Sequence, residues 1–272
     1  MTITATENKI QTLRDEAGKL ERGIIAERIN AATARNANDR QRRMHVVTIC
    51  NAAWLDTHTE RFIRLAHKAM PDAAYTLVYV GHGAARNKSK TPDMFDVVRT
   101  VKDDKTAPGY LRYNEIRYSL CSMLDLPEIV YIDPDVDIVS DISAILDDCH
   151  ASVGWCRSPI EPQGFGDGMR KLGLNGDAAW ANSGTLVLRR DCAEQYAAAA
   201  EGMKRIGFPP RMIGNAAFSA MLRAGGVEHQ EIPYKYGSIW WDYERLSKAL
   251  CVHYCNDQGK ARRDALDRVW VG

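Results

Sequence analysis

VYIDPDVDIVSD, residues 130–141, decides how this chain is read. An apolar run enters three aspartates spaced two apart, Asp133, Asp135 and Asp137. Residues two apart on a strand point the same way, and like charges held close repel one another. A divalent cation offsets that repulsion. Carboxylates gathered on one side make a hard-oxygen site suited to Mg2+ or Mn2+, ions that keep open positions for water and substrate phosphates. Pro134 fixes the backbone between two of the acids. The plain alternative is a solvated turn, since Asp-Pro often starts one. The apolar EIVYI directly before it argues instead for a buried strand that delivers the acids to the edge of a cleft.

The flanking pattern supports that reading. HVVTIC (45–50), AAYTLVYVG (73–81), FDVVRTV (95–101) and PEIVYID (127–133) read as strands. THTERFIRLAHKAM (57–70) and YLRYNEIRYSLCSML (110–124) have helical spacing. Strands alternating with helices imply a parallel sheet with crossovers. Ligands of such sheets bind beyond the carboxyl ends of the strands, where the aspartates lie. No GxGxxG and no P-loop lysine motif follows any strand, so neither a dinucleotide fold nor a P-loop NTPase is supported. In the second half, 151–156, 180–190, 227–235 and 249–255 read as strands and 191–207 and 210–226 as helices, with a loop over a site between 156 and 180. A short helical tail ends the chain.

Residues 6–30 read as a helix, with Ile10, Leu13, Ala17, Leu20 and Ile24 in a 3-4 spacing. It either packs on the domain or forms a homodimer through a short a/d seam. Residues 31–43 read as a basic linker, carrying Arg35, Arg40, Arg42 and Arg43. The expected organisation is an N-terminal helix and linker over 1–43 and one domain over 44–272. The 272 residues are 45% hydrophobic with net charge +1, which supports a sizeable core and predicts neither nucleic acid nor membrane as partner from charge alone. No apolar run approaches the roughly 20 residues of a membrane span, and the N-terminus lacks a secretory signal's apolar core. A cytoplasmic protein is expected. The seven cysteines are odd in number and scattered, as for reduced thiols. Cys251, His253 and Cys255 would share a strand face; zinc there competes with buried thiols flanking a working histidine.

Three motifs in order carry a resemblance. VYIDPDVDIVSDI, WANSGTLVLRRD (180–191) and VHYC (252–255) resemble elements of the GT-A fold, nucleotide-sugar-dependent glycosyltransferases. The similarity is greatest to the retaining family that includes glycogenin and bacterial lipopolysaccharide galactosyl- and glucosyltransferases, and it runs from about residue 45 to 260. The resemblance implies an α/β fold, Rossmann-like, with a mostly parallel sheet and flanking helices, here with an N-terminal helical extension. Asp133 and Asp135 match the family's Asp-x-Asp pair; Asp137 is extra, and which two of the three coordinate stays open. His253 matches the third metal ligand. Asn182, Ser183 and Gly184 match the strand beside the donor sugar. Arg117 stands in the place of a basic residue that reaches the donor's phosphates or sugar. HVVTICNAAW resembles the first strand, which places Thr48 and Trp54 near the nucleotide base. Asn215, after Gly214, stands where the family has Asp-Gln. Lys260 falls one position late for a phosphate-binding lysine, and the family's following Pro-Trp is missing.

Each residue also has a plain reading. His253 can be a satisfied core histidine, Arg117 half of a surface ion pair, Asn182–Gly184 a tight strand entry, Trp54 packing. The aromatic run at Tyr234, Trp240, Trp241 and Tyr243 suits a sugar face or a buried loop equally.

The resemblance implies sugar transfer from a nucleoside diphosphate sugar, UDP-linked, to an acceptor hydroxyl with retention. Mn2+ or Mg2+ would be held by Asp133, Asp135 and His253 and act as a Lewis acid on the leaving diphosphate. Arg117 and Lys260 would add positive charge there, and Asn182 and Asn215 would orient the donor sugar. No carboxylate stands out as a general base, Asp177 and Asp242 remaining open. The expected acceptor is a glycan or lipopolysaccharide sugar, with a protein side chain or a hydroxymethylated DNA base also open. Two rivals remain. DPDVD also resembles the nucleophile loop of haloacid-dehalogenase-type phosphatases, though that motif usually opens its domain. A sugar-nucleotide-binding protein without turnover is the other.

Overall fold

The computed structural model describes residues 44–82, 84, 85, 88–103, 109–177, 179–255 and 258–263. The expected N-terminal helix, the basic linker and the end of the expected tail lie outside them.

A seven-stranded sheet runs through the molecule. Its strands are β1 (His45–Cys50), β2 (Ala74–Val80), β3 (Val97–Val101), β4 (Ile129–Ile132), β6 (Val153–Arg157), β7 (Ala181–Leu188) and β8 (His229–Glu231), in the spatial order β3-β2-β1-β4-β7-β6-β8. A three-stranded sheet, β5-β10-β9, joins β5 (Val136–Ile138), β9 (Ser238–Ile239) and β10 (Cys251–His253). The main sheet is mixed but mostly parallel, as expected: β3, β2, β1 and β4 run together, and β7 runs against both β4 and β6.

The central strands are buried on both faces because alternate residues feed two cores, while the edge strands β3 and β8 are partly exposed. Val47 and Ile49 of β1, Val78 and Val80 of β2, and Ile129 and Tyr131 of β4 enter one core. Val46 and Cys50, Leu77 and Tyr79, and Val130 and Ile132 enter the other. Helix α1 (Glu60–Ala69) covers the second face with Phe62, Ile63 and Ala66. It stops where Pro71 excludes the helical region for Met70, whose φ and ψ are −142° and 74°. Helices α5 (Ala193–Arg205) and α6 (Ile213–Ala224) cover the first face, and α6 ends on Gly225 at φ 81°, a conformation glycine adopts without strain.

Two expected elements differ. The helix expected over 110–124 is two, α2 (Gly109–Arg117) and α3 (Leu120–Leu124). The break releases the Tyr118 carbonyl to accept the Cys192 amide at 2.9 Å, and Ser119 Oγ donates back to the Glu115 carbonyl at 3.0 Å. Serine competing for backbone in this way disfavours continuing a helix, and the break leaves Arg117 at the end of α2. The loop expected between 156 and 180 contains a helix, α4 (Phe165–Lys171), whose Phe165 and Met169 are fully buried. Among the described residues no helix is long and apolar enough to cross a membrane. All seven cysteines are free.

Candidate functional site

Two antiparallel pairings carry distant segments to the aspartates. Because β7 runs against β4, it starts where β4 ends, and the Asp133 amide donates to the Gly184 carbonyl at 2.8 Å. Because β10 runs against β5, His253 lies opposite Val136, and the Tyr254 amide donates to the Asp135 carbonyl at 2.9 Å. A register shift in the β6–β7 pairing, between Trp155 and Cys156, lies beside Asn182 and loosens the ladder where Ser183 and Gly184 must face the cleft.

Asp133, Asp135 and His253 each bring one ligand atom to within 4.8 Å of the others. His253 Nε2 lies 3.3 Å from Asp135 Oδ1 as a buried ion pair, and that oxygen has no better-formed hydrogen bond. Two carboxylates and an imidazole converging on one space form a donor set for a divalent cation. Burial opposes charge on His253, but Asp135 beside it outweighs burial and raises the imidazole above its ordinary value. Burial likewise opposes the Asp135 carboxylate, and His253, Arg263 and Lys260 pull it below its usual range.

The imidazole is held from behind. The Gly184 amide donates to Asn182 Oδ1 at 2.8 Å, which orients Asn182 so that Nδ2 faces His253 Nδ1 at 3.2 Å. A Cβ on Gly184 would lie 2.5 Å from His253 Cε1, so only glycine leaves room for the ring.

Arg117 Nη2 donates to Asp133 Oδ1 at 2.8 Å and to Tyr131 Oη at 3.0 Å, and Nη1 donates to Ser183 Oγ at 2.7 Å. The Tyr131 hydroxyl also donates to Asp133 Oδ1, and Ser183 passes its own proton to Asn215 Oδ1 at 2.8 Å. Arg117, Asp133, Ser183 and Asn215 therefore form one connected chain. Burial opposes the guanidinium's charge, but Asp133 and the tyrosines around it raise its pKa above the ordinary value. Tyr131 escaped the sequence reading, although it lies two residues before Asp133 on the same strand face and the period of two points to it.

Asp137 is not part of the cluster. It is fully buried and takes Arg61 Nη2 at 2.6 Å and Arg263 Nε at 2.9 Å. Strand β5 places Asp137 in the packing against α1, apart from the grouped ligand atoms of Asp133, Asp135 and His253. Cys251 and Cys255 do not join His253 either, because among the described residues the grouped ligands are the two aspartates and the imidazole. Asp177 is almost fully exposed beside Arg170, and Asp242 lies 3.6 Å from Arg245; neither lines the cleft.

Two cavities meet at the cluster. One, of about 410 Å3, is walled by Asn51, Trp54, Tyr113, Arg117, Tyr131 and the 133–135 turn. Lys260 Nζ stacks over Trp54 at 4.3 Å from the ring centre, so the two residues expected near base and phosphate stand together at its rim. Thr48, also expected there, is fully buried within β1, and the strand's end presents Ile49, Cys50 and Asn51 to the cavity instead. The second cavity, of about 250 Å3, lies on the other side of His253 and is walled by Ile160, Trp180, Asn182, Asn215, Trp241 and Cys255. Of the aromatic run, Trp241 lines this cavity, and Trp240 packs edge-on against it.

Neither a scan of protein-family profiles nor a search of curated proteins gives a match. Solved structures do. The galactosyltransferase LgtC in complex with donor and acceptor sugar analogs is 13% identical; the similarity covers 83% of this chain and 96% of that one, with a TM-score of 0.61. A structure of LgtC with an active-site glutamine-to-glutamate substitution is 14% identical over the same shares, at 0.62. The bifunctional glycosyltransferase WbbM is 11% identical over 82% of this chain and 47% of that one, at 0.51. Sheet order, the small second sheet and these likenesses agree: the chain has the GT-A fold of glycosyltransferases.

Proposed function

We propose that this protein is a glycosyltransferase that moves a hexose from a UDP-sugar to a sugar hydroxyl, with retention, using Mn2+ or Mg2+ held by Asp133, Asp135 and His253. One observation carries the reading: the Asp133 and Asp135 carboxylates at the wall of one cavity and the His253 imidazole at the wall of the other bring ligand atoms within 4.8 Å of one another. The glycosyltransferase fold supports it, as do the donor and acceptor sugar analogs in one neighbour.

In this reading the larger cavity takes the nucleotide, with the base near Trp54 and Asn51. When bound, the cation stabilises negative charge on the departing diphosphate. Lys260, at the rim, adds a mobile positive charge to the same group. Arg117 lines the larger cavity and donates three hydrogen bonds, to Asp133, Tyr131 and Ser183, so besides adding positive charge near the diphosphate it orients the Asp133 carboxylate and the Ser183–Asn215 pair. The Asn182 and Asn215 amides face the second cavity, where they meet sugar hydroxyls. Trp180, Trp241 and Ile160 offer apolar surface to sugar ring faces, and among the described residues no Lys, Arg, Asp or Glu walls this cavity. An uncharged glycan therefore fits better than a phosphate-rich acceptor. Retention is carried over from the family resemblance alone. The phosphatase reading loses ground because the fold is that of glycosyltransferases and Asp133 follows the fourth strand of the domain, not the strand that opens it.

The test is a panel of sugar nucleotides in thermal unfolding, with Mn2+ and with EDTA. A ligand at about 100 times its Kd contributes about 2.7 kcal/mol, which is roughly 5–10 °C for a domain of this size. A UDP-sugar is expected to give that shift with Mn2+ and to lose most of it with EDTA. The reading fails if no sugar nucleotide shifts the melting point. A shift without transfer to any acceptor would identify a binding protein.

Trp54→Ala is expected to raise Kd for the donor about tenfold, the usual scale for losing an aromatic platform under a base. It also frees Lys260 from its ring contact. Isothermal titration with UDP and Mn2+ measures it, and an unchanged Kd would place the base elsewhere.

A further inference from the structure

Asp137 and Arg263 are both fully buried, and Arg61 is mostly so. Taking such charges out of water is unfavourable enough that apolar residues of similar size often replace them without loss. The neighbours of Asp137 on β5, Val136 and Ile138, are apolar and buried, so the cluster is not needed to fill space. Its distinguishing property is what it connects. Arg263 Nη1 donates to the Pro134 carbonyl at 3.0 Å and to His58 Nδ1 at 3.2 Å, while its Nε donates to Asp137 at 2.9 Å. Arg61, from α1, grips the other Asp137 oxygen at 2.6 Å. Pro134 is the residue between Asp133 and Asp135.

A guanidinium is a rigid planar fork. With one edge locked on Asp137, its remaining donor fixes the height of the Pro134 carbonyl, and the peptide on each side of Pro134 leads directly to a carboxylate of the candidate cation site. Arg263 also lies one helical turn beyond Lys260, which stacks on Trp54. The anchor therefore joins the 133–135 turn to the segment that reaches the rim of the larger cavity.

We propose that Arg263, locked by Asp137 and Arg61, is a positioning residue for the cation site: through the Pro134 carbonyl it sets the spacing of Asp133 and Asp135, and it docks the Lys260 segment against that turn. This rests on the reading of Asp133, Asp135 and His253 as cation ligands.

The test compares wild type, Arg263→Lys, Arg263→Met and the pair Asp137→Leu with Arg263→Met. Mn2+ affinity is measured by electron paramagnetic resonance without donor, and stability by thermal unfolding. Arg263→Lys keeps the charge but loses the fork, and its Mn2+ Kd is expected to rise about 10- to 100-fold, the usual effect of losing an outer-shell partner. Arg263→Met leaves Asp137 short of a partner and is expected to melt lower. The double variant is expected to regain most of the wild-type melting temperature but not the Mn2+ affinity. A purely structural cluster predicts that affinity returns with stability, and that result overturns the proposal. So does a Mn2+ Kd within twofold of wild type in Arg263→Lys, which carries the test alone if the methionine variants do not fold. Failure of the wild type itself to bind Mn2+ removes the cation reading, and this proposal with it.

Discussion

Asp135→Asn is expected to lower kcat for sugar transfer by about a thousandfold or more while leaving a folded protein. The substitution keeps shape and volume and removes only charge. Loss of a cation that stabilises a leaving group is worth several kcal/mol, and each 1.36 kcal/mol is tenfold in rate. The position makes the effect larger than at Asp133. Asp133 Oδ1 is already occupied by Arg117 and Tyr131, whereas the buried Asp135 oxygen has only the His253 imidazole close by, itself a candidate ligand of the same cation. Melting temperature is expected to stay within a few degrees of wild type, because the amide keeps shape and volume and no longer carries the cost of burying a charge, which offsets the lost attraction to His253. UDP release with and without Mn2+ measures the effect. More than a tenth of wild-type activity in this variant would show that the carboxylate is not a ligand.

Gly184→Ala is the second large effect, and a methyl group causes it. The added Cβ would lie 2.5 Å from Cε1 and 2.6 Å from Nδ1 of His253. Neither side yields easily. Gly184 is pinned by its carbonyl to Asp133 and by its amide to Asn182, and His253 is paired across the small sheet with Val136 and Ile239. The ring must turn away from the aspartates. A Mn2+ Kd raised about 100-fold and a stability loss of about 1–3 kcal/mol, the usual range for overpacking, are expected. Mn2+ titration followed by urea unfolding tests both. Wild-type metal affinity would mean that the imidazole has slack and is not held for ligation.

Gly184 also shows where reading residues alone stops. The motif match placed it beside a donor sugar. The structure shows the same glycine making room for an imidazole that is far away in the chain, a relation no local pattern carries. Asp137 is the converse. Its spacing from Asp135 marked it as a third acid of the same site, yet the strand that begins at Val136 turns it into a cluster with Arg61 and Arg263, residues with nothing in their neighbourhoods to announce a shared partner. Thr48 shows a smaller displacement: strand β1 was read correctly to its ends, but the cavity wall begins at Ile49, one residue beyond Thr48.

What the chain's residues determined unaided was the periodic part. Short continuous apolar runs between helical segments specify strands buried on both faces, and an Asp-x-Asp at the end of one of them specifies where carboxylates emerge. These are local properties, set by side-chain direction and burial within a few residues. Which distant segments complete the site was decided only in three dimensions. Two strands that run against the parallel majority, β7 on β4 and β10 on β5, bring Asn182–Gly184 and His253 to the acids. Strand direction is a choice between whole-chain packings, and the sequence of either strand alone is equally compatible with both.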